Sequence, residues 1–137
     1  MRAAHYRLDE VTFLPRPVQR PRIPIWVGGA YPNRGPMRRA ARWDGVCLYR
    51  RPDGGRSQTM LPEDVRRLKA FCERERASAE AFDVVVYGGS RGPDGGPERG
   101  QVEACAEAGA TWWEEWIPPG EPAVMRAAIA RGPVRVD

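Results

Sequence analysis

Four short apolar runs punctuate the chain, and each is followed by a stretch whose apolar residues recur at helical spacing. The runs are PIWVGG from Pro24 to Gly29, DGVCLYR from Asp44 to Arg50, DVVVYGG from Asp83 to Gly89 and ATWWEEW from Ala110 to Trp116. They are β-branched or aromatic and apolar on both faces rather than strictly alternating. That pattern predicts buried parallel strands, covered by helices on at least one face.

The intervening stretches predict helices. A short arginine-rich one runs from Pro36 to Trp43. A longer one runs from Pro62 to about Ala79, where Val65, Leu68, Phe71 and Cys72 fall on one face, Pro62 suits the first helical position and Glu63 and Asp64 favour the N-terminal dipole. A third spans about Glu98 to Ala108, with Val102, Cys105 and Ala106 on one side and Gly109 as its stop. The last runs from Pro122 to Ala130, opened by proline and closed by Gly132.

The order βαβαβαβα predicts right-handed crossovers and a parallel sheet within one α/β domain. Residues 1–23, rich in Pro and Arg, read as an extended lead-in, and 24–137 as four βα units. Two architectures meet this pattern. An open flavodoxin-like layer needs helices on both faces, and a closed eight-stranded barrel needs about 250 residues, roughly twice this chain.

Composition narrows the function classes. A chain of 137 residues with 42% hydrophobic and 29% charged positions fits one globular domain. Gly 15 and Pro 14 fall short of a low-complexity composition. No apolar run approaches the roughly 18 residues of a membrane span, and the start, MRAAHYRLDE, has no apolar signal stretch, so the expectation is a cytoplasmic protein without membrane contact.

Cys47, Cys72 and Cys105 lie far apart with no CxxC spacing, which points to reduced structural thiols rather than disulfides or zinc. His5 is the single histidine, so neither a Ser-His-Asp triad nor a histidine metal site is assembled. The net charge of +4 comes from arginines scattered among acidic residues, with Lys69 the only lysine. This distribution lacks the basic stripe with exposed aromatics of a nucleic-acid groove, and nucleic acid is not expected as a partner.

The segment PRPVQRPRIPIWVGGAYPNRGPMRRAARWDGVCL carries the most specific pattern: Pro15, Pro17, Gln19, Pro21, Pro24, Gly28, Gly29, Ala40, Ala41, Arg42, Asp44 and Gly45, in that order. It resembles the luciferase-like monooxygenase family, in which a proline-rich lead enters the fifth strand of a (β/α)8 TIM barrel, followed by GG, a helix with A-A-R, and D-G at the sixth strand. GATWWEEW and the terminal ARGPVRVD resemble that family's last strand and helix. The resemblance implies the C-terminal half of such a barrel, and a flavin- or deazaflavin-dependent oxidoreductase with FMN or coenzyme F-420 as cofactor. Family members are about twice as long, and the segments for the first four strands and the usual insertion before the last strand have no counterpart here. A half-barrel is therefore expected to be inactive alone and to pair as a homodimer or with a complementary half-barrel chain, because its edge strands and inner face are open.

Against that background several residues stand out. Gly28 and Gly29, read as ending a strand before a helix, permit close backbone approach to a phosphate, or simply a tight turn. Arg50 and Arg51 follow the second run, where a guanidinium can bind phosphate bidentately, or form a solvated turn. Gly88, Gly89, Ser90 and Arg91 offer glycines, a hydroxyl and a guanidinium to an oxyanion, at a loop position barrels use for phosphate; the alternative is the scar of a shortened insertion. Period-2 alternation places Trp112, Glu114 and Trp116 on one face and Trp113 and Glu115 on the other. One carboxylate should then face the barrel interior as an acid or base, unless an arginine pairs with it. Two rivals stand beside this reading, a non-catalytic remnant acting as an interaction module, and an open α/β anion-binding domain unrelated to flavins.

Overall fold

In the computed structural model, which describes residues 7, 9–51, 55–92, 96, 98–132 and 134, each apolar run forms a strand and each stretch between them a helix. Strands β1 (Trp26–Tyr31), β2 (Gly45–Arg50), β3 (Asp83–Gly88) and β4 (Trp112–Glu115) alternate with helices α1 (Arg34–Ala40), α2 (Pro62–Glu75), α3 (Arg99–Glu107) and α4 (Pro122–Ala130). The sheet is parallel throughout, in the order β1-β2-β3-β4. No reversal of strand order occurs, so the sheet has no switch point of the kind that defines a doubly wound domain.

Alternation along the strands separates the two faces. Val27, Val46, Leu48, Val84 and Val86 point into one apolar cluster with Met37 and Ala40 of α1, Val65, Leu68, Phe71 and Cys72 of α2, and Cys105 of α3. Helices α1, α2 and α3 thus cover the same face. The positions between them, Trp26, Gly28 and Ala30 on β1, Cys47 and Tyr49 on β2, Asp83, Val85 and Tyr87 on β3, and Trp112 and Glu114 on β4, belong to the other face. Helix α4 contributes no buried residue.

Boundaries move where packing outweighs local signals. Gly28 and Gly29 do not end the first strand; they pair with Cys47 and Leu48 in mid-ladder, and the strand runs on to Tyr31. Gly29 is required there because a Cβ would lie 2.6 Å from the Pro36 Cβ, so the missing side chain is what lets α1 sit down on β1. Helix α2 stops at Glu75, short of Ala79, because Arg76 turns extended and its guanidinium is held by the carbonyls of Trp43 at 2.8 Å and Glu80 at 2.9 Å. Ala106, expected on the buried side of α3, is exposed, while Val102 and Cys105 are buried. His5, Pro52, Asp53, residues 93–95, 97, 133 and 135–137, which include parts of the glycine-rich loop and the C-terminal motif, lie outside the described residues.

The lead-in is tied to the domain through Asp44. Its carboxylate receives Arg22 at 2.6 and 3.2 Å and the Ile25 amide at 2.6 Å, and the Arg22 guanidinium lies 5.2 Å from the centroid of the Trp43 ring. The Arg22 bond, then the Ile25 amide, hold the Asp44 carboxyl below its ordinary 3.8. A depressed folded value means that this tether is complete above the ordinary carboxylate range and is lost as pH falls through the lowered value. Acid titration below 3.8 should therefore release the lead-in and change Trp43 emission before the fold melts, a change that Asp44→Asn should remove.

Candidate functional site

The C-terminal ends of β1 and β2 bring together Tyr31, Arg50 and the first turn of α2. Arg50 Nε lies 3.1 Å from Asp64 Oδ2, and Asp64 is buried. Asp64 gains its place from Pro62, which starts α2 and leaves the carboxylate over the positive end of the helix. Burial first, then the Asp64 charge, push the Tyr31 hydroxyl above its usual range. Arg50 is thus engaged with a carboxylate of its own chain. Its backbone also exchanges hydrogen bonds with Gln58 at 3.0 and 2.9 Å, closing the loop over the strand end. Arg51 turns away and donates to the Gly55 carbonyl at 3.0 Å. Arg50→Ala should cost about 1–2 kcal/mol of stability by leaving Asp64 without its cation, the exposed part of the pair moderating the loss; chemical denaturation with an Asp64→Asn partner in a double-mutant cycle measures it.

The loop after β3 is built around a second carboxylate. Glu115 accepts the Ser90 amide at 2.9 Å, the Ser90 hydroxyl at 2.5 Å and the Trp113 indole N–H at 3.1 Å. Ser90 is fully buried. The donors that the sequence offered to an oxyanion are thus given to Glu115, which sits where an anion would sit. Gly88 has no room for a side chain, since a Cβ would meet Thr59 Oγ1 at 2.8 Å and the Trp113 ring at 2.9 Å. Gly89, by contrast, is open, with nothing within 4 Å of a built Cβ. Arg91 reaches across to the Gly132 carbonyl at 2.9 Å and so links the β3 loop to the end of α4.

These loops border a groove of about 820 Å³ between the ends of β3 and β4 and helix α4. Gly89, Arg91 and Gly92 form one wall, Trp116, Ile117 and Gly120 the turn after β4, and Met125, Ile129 and Arg131 the helix side. Arg131 and the apolar side of α4 were not singled out in the sequence. A proline-started helix with exposed Val124 and Ile129 is the signal that could have marked them.

The face that α1 to α3 leave uncovered has its own chemistry. Trp26 and Trp112, from the two outer strands, lean together with ring centroids 5.7 Å apart, and their indole N–H groups both donate to Asp83, at 3.0 and 3.1 Å. Gly45 makes room for this group, because a Cβ there would lie 2.5 Å from the Trp26 ring. Towards the other end stand Cys47, Tyr49, Tyr87 and Glu114. Burial, then the Glu114 charge, raise the Cys47 thiol, and burial chiefly raises Tyr87, whose hydroxyl donates to the Gln58 carbonyl at 3.3 Å. Glu114 is exposed on this face and Glu115 lies on the helix face, as alternation requires.

Gly28 is on the uncovered face and Gly29 on the helix face, so the two do not act together as a cradle. Cys72 and Cys105 are buried free thiols, and burial pushes Cys72 up to about 11, which keeps it protonated and unreactive at neutral pH. Among the described residues no group of His, Cys, Asp and Glu is placed to hold a metal ion, and no helix is long and apolar enough to cross a membrane. No family model, curated protein or solved structure matches the chain.

Proposed function

We propose that the chain is one wall of a luciferase-like (β/α)8 barrel and binds a flavin-type cofactor, FMN or coenzyme F-420, at the C-terminal ends of its strands. The reading rests on one observation above others: a parallel sheet in the order β1-β2-β3-β4 whose main apolar cluster lies on one face, with α1 to α3, while Val85 is the hydrophobic strand residue buried on the other. A barrel wall keeps its strands in sequence and its helices outside, whereas a doubly wound domain reverses order and covers both faces.

The groove bordered by the loops after β3 and β4 corresponds to the place where barrels of this kind bind phosphate. Glu115 also lines it, with its carboxylate engaged by the Ser90 and Trp113 donors, and the other lining residues support such a group. Arg91 and Arg131 carry charge at its margin, Gly89 admits close backbone approach, and Trp116, Met125 and Ile129 give an apolar wall. Its volume of about 820 Å³ lies in the range of cofactor clefts. A bound flavin-type ring supplies hydride transfer. The chain's own part is to bind the phosphate end and to present Glu114, on the uncovered face, as an acid or base at the mouth. With four of eight loops in hand, water is not excluded, and turnover requires the other half.

Titration with FMN and with coenzyme F-420, followed by fluorescence and by melting temperature, tests the reading. Binding at micromolar ligand that falls at least about tenfold in Arg91→Ala, the loss of one charge-assisted contact, is the expected result. An unchanged melting curve at millimolar ligand would sink it. A second reading, a non-catalytic interaction module, is favoured by the carboxylates of Glu115 and Asp64, which take up the donors of Ser90 and the charge of Arg50. That reading gains if neither ligand binds.

A further inference from the structure

An oxyanion entering the groove meets Glu115, whose carboxylate already takes the donors of the loop after β3. Its two oxygens divide them: Oε1 accepts the Ser90 amide at 2.9 Å, and Oε2 accepts the Ser90 hydroxyl at 2.5 Å and the Trp113 indole at 3.1 Å. An amide and a hydroxyl of one residue, set on the two oxygens of one carboxylate, form the donor pattern of an oxyanion site. Neutral donors alone hold this group. Asp9, Asp44 and Asp64 each meet an arginine, whereas none of the ion pairs among the described residues includes Glu115.

The surroundings let another oxyanion reach the same donors. Glu115 is the last residue of β4 and lines the groove of about 820 Å³, so its side chain borders open space into which it can turn. Gly89 precedes Ser90 with nothing within 4 Å of a built Cβ, which opens the loop backbone to approach from the groove. Arg91 and Arg131 line the groove as well and offset the second negative charge that an exchange brings in. Two anionic groups cannot hold the same three donors, and side by side they repel.

We propose that the loop after β3 is an oxyanion site that carries its own occupant, and that a carboxylate or phosphate group entering the groove exchanges with Glu115 for the Ser90 and Trp113 donors. Glu115 is thereby a built-in competitor. It keeps the buried Ser90 donors satisfied and sets the threshold that an incoming oxyanion has to exceed. The inference rests on the groove being the phosphate site of the proposed function, and it adds how that site is regulated.

Glu115→Ala leaves the three donors without their acceptor. Acetate or inorganic phosphate at about 10–50 mM should therefore raise its melting temperature by at least about 2 °C over sodium chloride of equal ionic strength, and leave the wild-type chain unchanged. Heteronuclear NMR of that variant should show the Ser90 amide and Trp113 indole resonances moving with acetate. Rescue without those shifts, or no rescue by either anion, overturns the inference. Should Glu115→Ala fail to fold, Glu115→Gln removes the charge and keeps the side chain's length. Inorganic phosphate should then bind at least about tenfold more tightly than to the wild-type chain, and equal affinities overturn the inference. FMN separates the two readings. Equal FMN affinity in the wild-type and Glu115→Gln chains overturns the exchange and leaves the flavin reading standing. Rescue by acetate with no FMN binding to either chain supports the self-occupied site and overturns the flavin reading.

Discussion

Replacing Leu48 by alanine is expected to lower the unfolding free energy by about 2–5 kcal/mol, the cost of deleting a fully enclosed branched side chain. Leu48 is 1% exposed on an inner strand, at the centre of the cluster formed with α1 and α2. It sits 3.5 Å from the place a Gly29 Cβ would occupy, in the narrow space where Pro36 closes over the sheet. That space is bounded by backbone on one side and a proline ring on the other, so it relaxes little into the void. The loss is large against a whole-domain stability of about 5–15 kcal/mol, and this domain has its main apolar cluster on one face of the sheet. Urea unfolding should show a lower midpoint with an unchanged slope. A loss below about 1 kcal/mol would place Leu48 outside the sealed core.

Glu115→Ala is expected to cost about 3 kcal/mol and to loosen the loop after β3, since each buried donor left unmatched costs about 1–3 kcal/mol. Three donors lose their acceptor at once: the Ser90 amide, the Ser90 hydroxyl and the Trp113 indole. Ser90 is fully buried, so water cannot easily replace the carboxylate. Glu114→Ala, one position earlier and exposed, should change stability by no more than about 0.5 kcal/mol. Thermal unfolding of the two variants gives the contrast, and a red shift of Trp113 emission in Glu115→Ala alone would tie the loss to this network. Equal effects of the two substitutions would contradict the assignment. The same comparison bears on the proposed function, in which Glu115 orders the loop after β3 and Glu114 is the carboxylate offered on the uncovered face.

That these neighbours face opposite ways was legible in the chain, but which of them is enclosed, and by Ser90 and Trp113 rather than an arginine, was not. Period-2 alternation assigns Trp112 and Glu114 to one face and Trp113 and Glu115 to the other, and the sheet obeys it. The helical spacing of Val65, Leu68, Phe71 and Cys72 likewise marks the buried side of α2. Pro62 and Pro122 mark the starts of α2 and α4, and Gly109 and Gly132 the ends of α3 and α4, because these residues act on their own backbone. Arg50 was legible as a charge at a strand end, but its partner was not. Asp64 lies 14 positions on in a helix, and only the packing of α2 on β2 brings the pair to 3.1 Å.

Local backbone periods alone set the alternation of four strands and helices and the face on which most strand residues lie, and these can be read along the chain. Tertiary structure decided the rest. It fixed the strand order, left one face of the sheet outside the core and kept Gly29 inside a strand under Pro36. It also set Glu115 against Ser90, 25 residues away in sequence, so that an apparent anion site holds the chain's own carboxylate. The physical reason is the same in each case: a side chain's periodicity follows from its own backbone, but what it touches depends on how distant segments close-pack and satisfy one another's polar groups.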